Sequence, residues 1–159
     1  MKNLYAISGV TGMTGSELSC QFVTQDHKVI GFDNFFISSI NTVKDIVDNP
    51  SFIFYNYDIN CVVQMDEVCE KANTQKVECD GRLVVINCVN VVHTKHFYEV
   101  ESTCHTNVFA MKGFLERVIA IGTDTYINCS TSEVYSMQSW NDNGDVLESD
   151  YLARSFNVA

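Results

Sequence analysis

Gly9-Val10-Thr11-Gly12-Met13-Thr14-Gly15 sets three glycines three residues apart. The apolar run Leu4-Tyr5-Ala6-Ile7 precedes them, and Leu18, Phe22 and Val23 follow at helical spacing. Glycine lets a backbone turn tightly and approach a pyrophosphate closely. The N-terminus of the next helix then offers free N–H groups and the positive end of its dipole. A strand before and a helix after is the setting such a turn needs to hold phosphate. Asp33 closes a second apolar run, 18 residues beyond Gly15. An acid there can accept hydrogen bonds from ribose hydroxyls and opposes a 2′-phosphate, so the pattern favours NAD over NADP. The competing reading of Asp33 is a solvated turn acid. Asp58 follows a third apolar run, on the sheet edge where open α/β folds bind ligands. A helix N-cap accounts for Asp58 equally well.

The elements that must position these residues alternate. Leu4–Ile7, Lys28–Phe32, Phe52–Tyr55, Leu83–Cys88 and Thr125–Cys129 read as strands, the fourth apolar enough to be covered on both faces. Helical spacing marks Ser16–Gln25, residues 39–48 (Ile40, Val43, Ile46, Val47), Val62–Ala72 and a long helix over 99–121. In the last, Val108, Met111, Leu115, Val118 and Ile119 are expected inward. Residues 89–98 read as strand extension, loop or helix start, and 136–150 as a polar loop. Alternating strands and helices predict a parallel sheet with right-handed crossovers. The expected fold class is α/β, a Rossmann-like doubly wound parallel sheet of about five strands with helices on both faces.

The chain has 159 residues, 46% hydrophobic and 19% charged, with a net charge of −10. That length allows one domain with a real core. An acidic surface repels phosphate backbones and anionic lipid, so nucleic acid and membrane surfaces are not expected partners. No apolar run approaches the ~20 residues of a membrane span, and the first apolar stretch is short for a signal peptide. The seven cysteines (20, 61, 69, 79, 88, 104 and 129) form no C-x-x-C pair and several sit in apolar runs. They read as reduced, mostly buried thiols of a cytoplasmic protein.

The glycine turn, Gly31-Phe32-Asp33-Asn34, Tyr57-Asp58-Ile59, Asn107-Val108 and Ser130-Thr131-Ser132-Glu133-Val134-Tyr135 fall in an order that resembles the extended short-chain dehydrogenases. More narrowly, the order is similar to the NAD-dependent epimerase/dehydratase family acting on nucleotide sugars. The resemblance covers essentially the whole chain and the first half of that family's usual protein. It implies that Gly9, Gly12 and Gly15 with Met13 and Thr14 hold the pyrophosphate of NAD. It implies that Asp33 and Asn34 hold the adenosine ribose, and that Asp58 and Ile59 flank the adenine. Thr131 corresponds to the family's active-site Ser/Thr, which hydrogen-bonds the sugar oxygen being oxidised or reduced. The Thr131-Ser132-Glu133 order is similar to that of GDP-mannose dehydratases and UDP-glucuronate decarboxylases, where the Glu assists proton transfer. Ser132 stands where dTDP-glucose dehydratases have Asp, which disfavours that subfamily. Strand-end hydroxyls and a turn acid are the plain alternatives for Thr131, Ser132 and Glu133.

Departures from the family pattern matter as much. Its Tyr-x-x-x-Lys pair, acid/base and its activator, does not occur; Tyr151-Leu152-Ala153-Arg154-Ser155 carries Ser in the Lys place. A Tyr with its ordinary pKa of about 10 is a poor base without a nearby cation. Asn87-Cys88-Val89-Asn90 replaces the family's usual His-Leu-Ala-Ala. Residues 1–159 therefore read as one NAD(P)-binding Rossmann domain, truncated before the sixth strand and the substrate lobe. One expected function is the NAD-binding domain of a nucleotide-sugar epimerase/dehydratase-like protein, with hydride transfer at a sugar carbon if complete. The alternative is a catalytically silent nucleotide-binding or interaction module. A sheet edge left open for a sixth strand predicts self-association into a homo-oligomer. His93, His96, Cys104 and His105 have histidines three apart, but without a C-x-x-C pair they predict no metal site. Lys95 beside them is expected as a solvated surface Lys rather than a phosphate ligand.

Overall fold

The computed structural model describes residues 2–79, 81–92, 96 and 98–130. All the secondary structure described lies in one compact unit, Met1–Cys129. The chain runs β1 (Leu4–Ser8), α1 (Met13–Thr24), β2 (Lys28–Phe32), a 3₁₀ turn (Ile40–Val43), β3 (Phe52–Tyr55), α2 (Val62–Val77) and β4 (Leu83–Asn87). It continues through α3 (Val100–Cys104), a π-helical segment (His105–Ala110), α4 (Met111–Ala120) and β5 (Thr125–Asn128). The five strands are parallel in the order β3-β2-β1-β4-β5. The chain moves outward from β1 to β3, then returns to lay β4 on the other side of β1. Right-handed crossovers therefore place α1 on one face and α2 and α4 on the other. The strand order reverses between β1 and β4, and that switch point opens a crevice at the strand carboxyl ends.

Alternation along the strands feeds two cores. Ile7, Val29, Val84 and Ile86 pack with Val10, Val23 and Val43 on the α1 face. Leu4, Ala6, Ile30, Phe32, Leu83 and Val85 pack with Met65, Val68, Ala72, Phe114 and Val118 on the other. The Phe32 and Phe114 rings meet edge to face at 5.5 Å, tying β2 to α4.

Three expectations are corrected. Residues 39–48 form only the 3₁₀ turn Ile40–Val43 and further turns, although Val43 and Ile46 are buried as their spacing requires. β-branched residues, Asn and Asp favour such short local structure over a helix. The long helix is divided by the π segment His105–Ala110, whose wider turns break the 3.6-residue register. Ala110, Phe114 and Val118 therefore face inward, while Val108 and Ile119 are exposed. All seven cysteines are free, but Cys69 alone is buried and Cys104 is exposed. No helix among the described residues is long and apolar enough to cross a membrane.

Candidate functional site

The glycine turn links β1 to α1 at the switch point. Gly9 takes φ +68°, a left-handed conformation that suits glycine, and its N–H donates to Phe32 O at 3.0 Å. A side chain on Gly9 would also meet the Cys88 carbonyl carbon at 3.0 Å. Gly12 is the N-cap of α1 with φ −72°, so its backbone is open to any residue. No side chain caps this helix and its first turn carries no acid. Its first N–H groups and positive dipole end therefore face outward at the crevice with capacity for an anion. Gly15 also has a packing task. A Cβ there would sit 2.3 Å from Gly9 O, so its absence lets α1 pack against the turn. The Met13 and Thr14 side chains are exposed at the start of α1 and contribute to the turn through backbone.

Asp33 follows β2 directly and is 8% exposed. One carboxylate oxygen accepts from Thr11 N at 3.2 Å and the other from Phe35 N at 2.8 Å. Ser38 Oγ donates to Asp33 Oδ1 at 3.4 Å and pairs with Thr11 Oγ1 at 2.6 Å. The carboxylate thus joins the glycine turn to the loop after β2. An ionised carboxylate has about four acceptor positions, which leaves room for ribose hydroxyls. Phe35 is held at φ +59° by this network, and its ring lies 5.4 Å from that of Phe54. Asn34 donates to Asp58 Oδ2 at 3.1 Å, bringing together two residues 24 apart in the chain.

Asp58 lies three residues past β3, and its carboxylate accepts from Asn60 N at 2.8 Å. The N-cap reading fails: Cys61 caps α2 and Asp58 closes a local turn before it. Ile59 is 6% exposed, part of the core as well as of the crevice floor. Gly9, Gly12, Asp33, Asn34, Asp58 and Ile59 all line one crevice of about 330 Å³. None of its described lining residues is Lys or Arg.

The far wall is the segment Cys88–Val92. Asn107, in the π segment, fixes it: Oδ1 accepts from Val91 N at 2.8 Å and Nδ2 donates to Val91 O at 3.0 Å. This positioning role was not part of the expected site. Its signal is a polar residue inside an otherwise helical pattern, where Asn is disfavoured. Asn87 is 2% exposed and belongs to a ladder across the sheet. Its Oδ1 accepts from Ser8 Oγ at 2.5 Å, and its Nδ2 donates to Asn128 Oδ1 at 2.8 Å. Oδ1 also accepts from Val89 N at 3.3 Å, so Asn87 ties the strands to the crevice wall. Thr131 and Glu133 lie outside the described residues, as do Ser132, His93 and Lys95. His96 Nδ1 pairs with Glu99 at 2.9 Å and His105 Nδ1 with Asn60 at 2.9 Å, so these two histidines take separate partners.

A parallel sheet in this order, with a glycine turn and an acid after β2 at the switch point, defines a Rossmann-type nucleotide-binding fold. Residues 5–155 match the profile of the NAD dependent epimerase/dehydratase family, and the chain belongs to that family. NAD is the family's cofactor. The fold is similar to an epimerase from Methanothermobacter thermautotrophicus, with TM-score 0.75 and 17% identity over 94% of this chain and 40% of that one. It is similar to the UDP-Glc/GlcNAc 4-epimerase of Campylobacter jejuni, with TM-score 0.72 and 19% identity over 84% of this chain and 39% of that one. The dTDP-glucose 4,6-dehydratase of Bacillus anthracis, solved with NAD, aligns with TM-score 0.68 and 25% identity over 94% of this chain and 43% of that one. The chain thus spans about two fifths of the length of these proteins. No curated protein matches it.

Proposed function

We propose that this chain is the NAD-holding part of a nucleotide-sugar epimerase/dehydratase-like protein. The observation that carries the reading is the meeting of the uncapped α1 N-terminus, Gly12 and Asp33 in one crevice without a cationic side chain. These residues fit NAD. The α1 N-terminus and the glycine turn would take the pyrophosphate, with Gly12 leaving it room. Asp33 and Asn34 would take the adenosine ribose, and Asp58 and Ile59 would border the adenine. NAD, when bound, supplies a hydride acceptor for a sugar carbon. Thr131 would hydrogen-bond the sugar oxygen and Glu133 would move a proton beside it. The sugar would come as a nucleotide conjugate, like the UDP-sugars that the Campylobacter jejuni relative's name specifies.

A second reading is a catalytically silent nucleotide-binding module, favoured by the absence of a Tyr-x-x-x-Lys pair from the 159 residues. Both readings require NAD in the crevice, and titration calorimetry against Gly12→Val tests that requirement. Gly12 has an ordinary φ and a Cβ there would meet only Gly9 O, at 3.2 Å, so a shift of a few tenths of an ångström should keep the circular dichroism of the parent. A branched side chain there occupies the space of the pyrophosphate, so NAD binding should vanish. A folded variant with unchanged affinity would show that the turn is only structural.

A further inference from the structure

Cys88 and Cys129 stand at the carboxyl ends of β4 and β5, one residue beyond the registered pair Asn87 and Asn128. Cys129 N donates to Asn87 O at 2.9 Å, so the parallel pairing continues past the strand ends. Both side chains point to the α1 face, and their sulfurs are 3.5 Å apart. Both are half-buried, and Cys88 lines the nucleotide crevice. Paired strands are ~4.8 Å apart, within the Cα separation of about 4.4–6.8 Å that a disulfide spans. The sulfurs need only approach by roughly 1.5 Å to reach bonding distance.

We propose that Cys88 and Cys129 form a peroxide-oxidisable dithiol that closes to a disulfide across the ends of β4 and β5 and loosens the crevice's hold on its nucleotide. Burial, and then the neighbouring sulfur, push the Cys88 thiol up to about 12. The Cys129 thiolate attacks one peroxide oxygen; the O–O bond breaks, hydroxide leaves, and Cys129 becomes a sulfenic acid. The Cys88 sulfur then attacks the Cys129 sulfur. The S–S bond forms, the S–O bond breaks, and water leaves with the Cys88 proton. Two thiols are oxidised to one disulfide while one peroxide is reduced to two waters, the first hydroxide taking up the proton lost by Cys129.

The coupling to the crevice rests on the NAD reading above and on one contact. The Cys88 carbonyl carbon lies where a Gly9 side chain would meet it at 3.0 Å, so the Cys88 backbone abuts the glycine turn. Drawing Cys88 toward β5 moves the wall against which that turn rests. Cys104, exposed and remote in the sequence, serves as an internal control for indiscriminate oxidation.

The test treats the full chain with hydrogen peroxide, alkylates the remaining thiols, and maps the peptides before and after dithiothreitol. The expected result is a Cys88–Cys129 linked peptide that dithiothreitol releases and that is absent in Cys129→Ser. NAD affinity by calorimetry should fall about tenfold in the oxidised chain and return on reduction, within the usual range of coupling between linked sites. Oxidation confined to Cys104, with Cys88 and Cys129 still alkylated, would overturn the proposal. A linked pair with unchanged NAD affinity would overturn the coupling. Failure of the reduced chain to bind NAD would count against the NAD reading, and peptide mapping alone would still decide whether the dithiol closes.

Discussion

At Asp33 one carboxylate carries both a structural and a recognition task. It accepts the N–H of Thr11, which is buried, and that of Phe35, which is held in a left-handed conformation. Asp33→Ala leaves the Thr11 N–H without its partner, a loss of about 1–3 kcal/mol. The same substitution removes the charge that opposes a 2′-phosphate, so the preference for NAD over NADP should narrow; calorimetry and thermal melting together check both effects. Asn107 acts at one remove, through the two hydrogen bonds that hold Val91. Asn107→Ala should destabilise the fold by about 1–3 kcal/mol and weaken NAD binding. Asn107→Asp keeps the acceptor and loses the donor, so it should recover part of the affinity. Thiol chemistry also follows position. Cys104 is exposed, whereas burial first of all pushes the Cys69 thiol up to about 11. Alkylation followed by mass spectrometry should therefore label Cys104 first and Cys69 far more slowly; the reverse order would contradict the burial described here.

Among the elements, the strands were legible because apolar runs of four or five residues between turn signals have few alternatives. Lys28–Phe32 and Phe52–Tyr55 fall at the expected residues. What spacing could not supply was the π segment, since a period of 3.6 contains no signal for an inserted residue. Nor does spacing show that Gly15 serves packing, because only the distance of 2.3 Å from a Cβ there to Gly9 O reveals it. The glycine turn and the acid after β2 were readable because each is local to one strand end. The Asn107 clamp and the Cys88–Cys129 pair depend on pairing across 16 and 41 residues, which one sequence does not encode locally. Gly31 in β2 shows the same limit: a Cβ there would lie 2.6 Å from Val10 Cγ2. Val10 is fully buried, so Gly31→Ala overpacks the core and should cost about 1–3 kcal/mol in denaturant unfolding. Asp124 anchors the start of β4. The N–H of Leu83 first, and then Lys76, hold its carboxyl below the usual 3.8. A depressed pKa means that this contribution is complete above the unfolded value and is lost as pH falls through the folded one. Asp124→Asn should therefore lower the melting temperature at neutral pH and flatten its decline below about pH 4.

For the molecule as a whole, the net charge of −10 leaves local dipoles rather than the overall field to hold an anionic cofactor. Holding a cofactor is separable from turning over a substrate. No Tyr-x-x-x-Lys pair occurs in the 159 residues, and general acid–base assistance is typically worth ~10²–10⁴ in rate. This chain, purified alone, should show no conversion of a nucleotide-sugar panel that includes UDP-glucuronate and GDP-mannose, followed by NADH absorbance and chromatography. Conversion that disappears in Thr131→Ala would mean that the base lies elsewhere, with Tyr151 the first residue to replace. The central claim concerns the cofactor, and parallel calorimetric titrations of the 159-residue chain with NAD and with NADP test it most directly. The crevice brings Asp33 to its lining and no Lys or Arg among the described residues there, so NAD should bind measurably and more tightly than NADP. Equal or tighter binding of NADP, or no binding of either, would contradict the account.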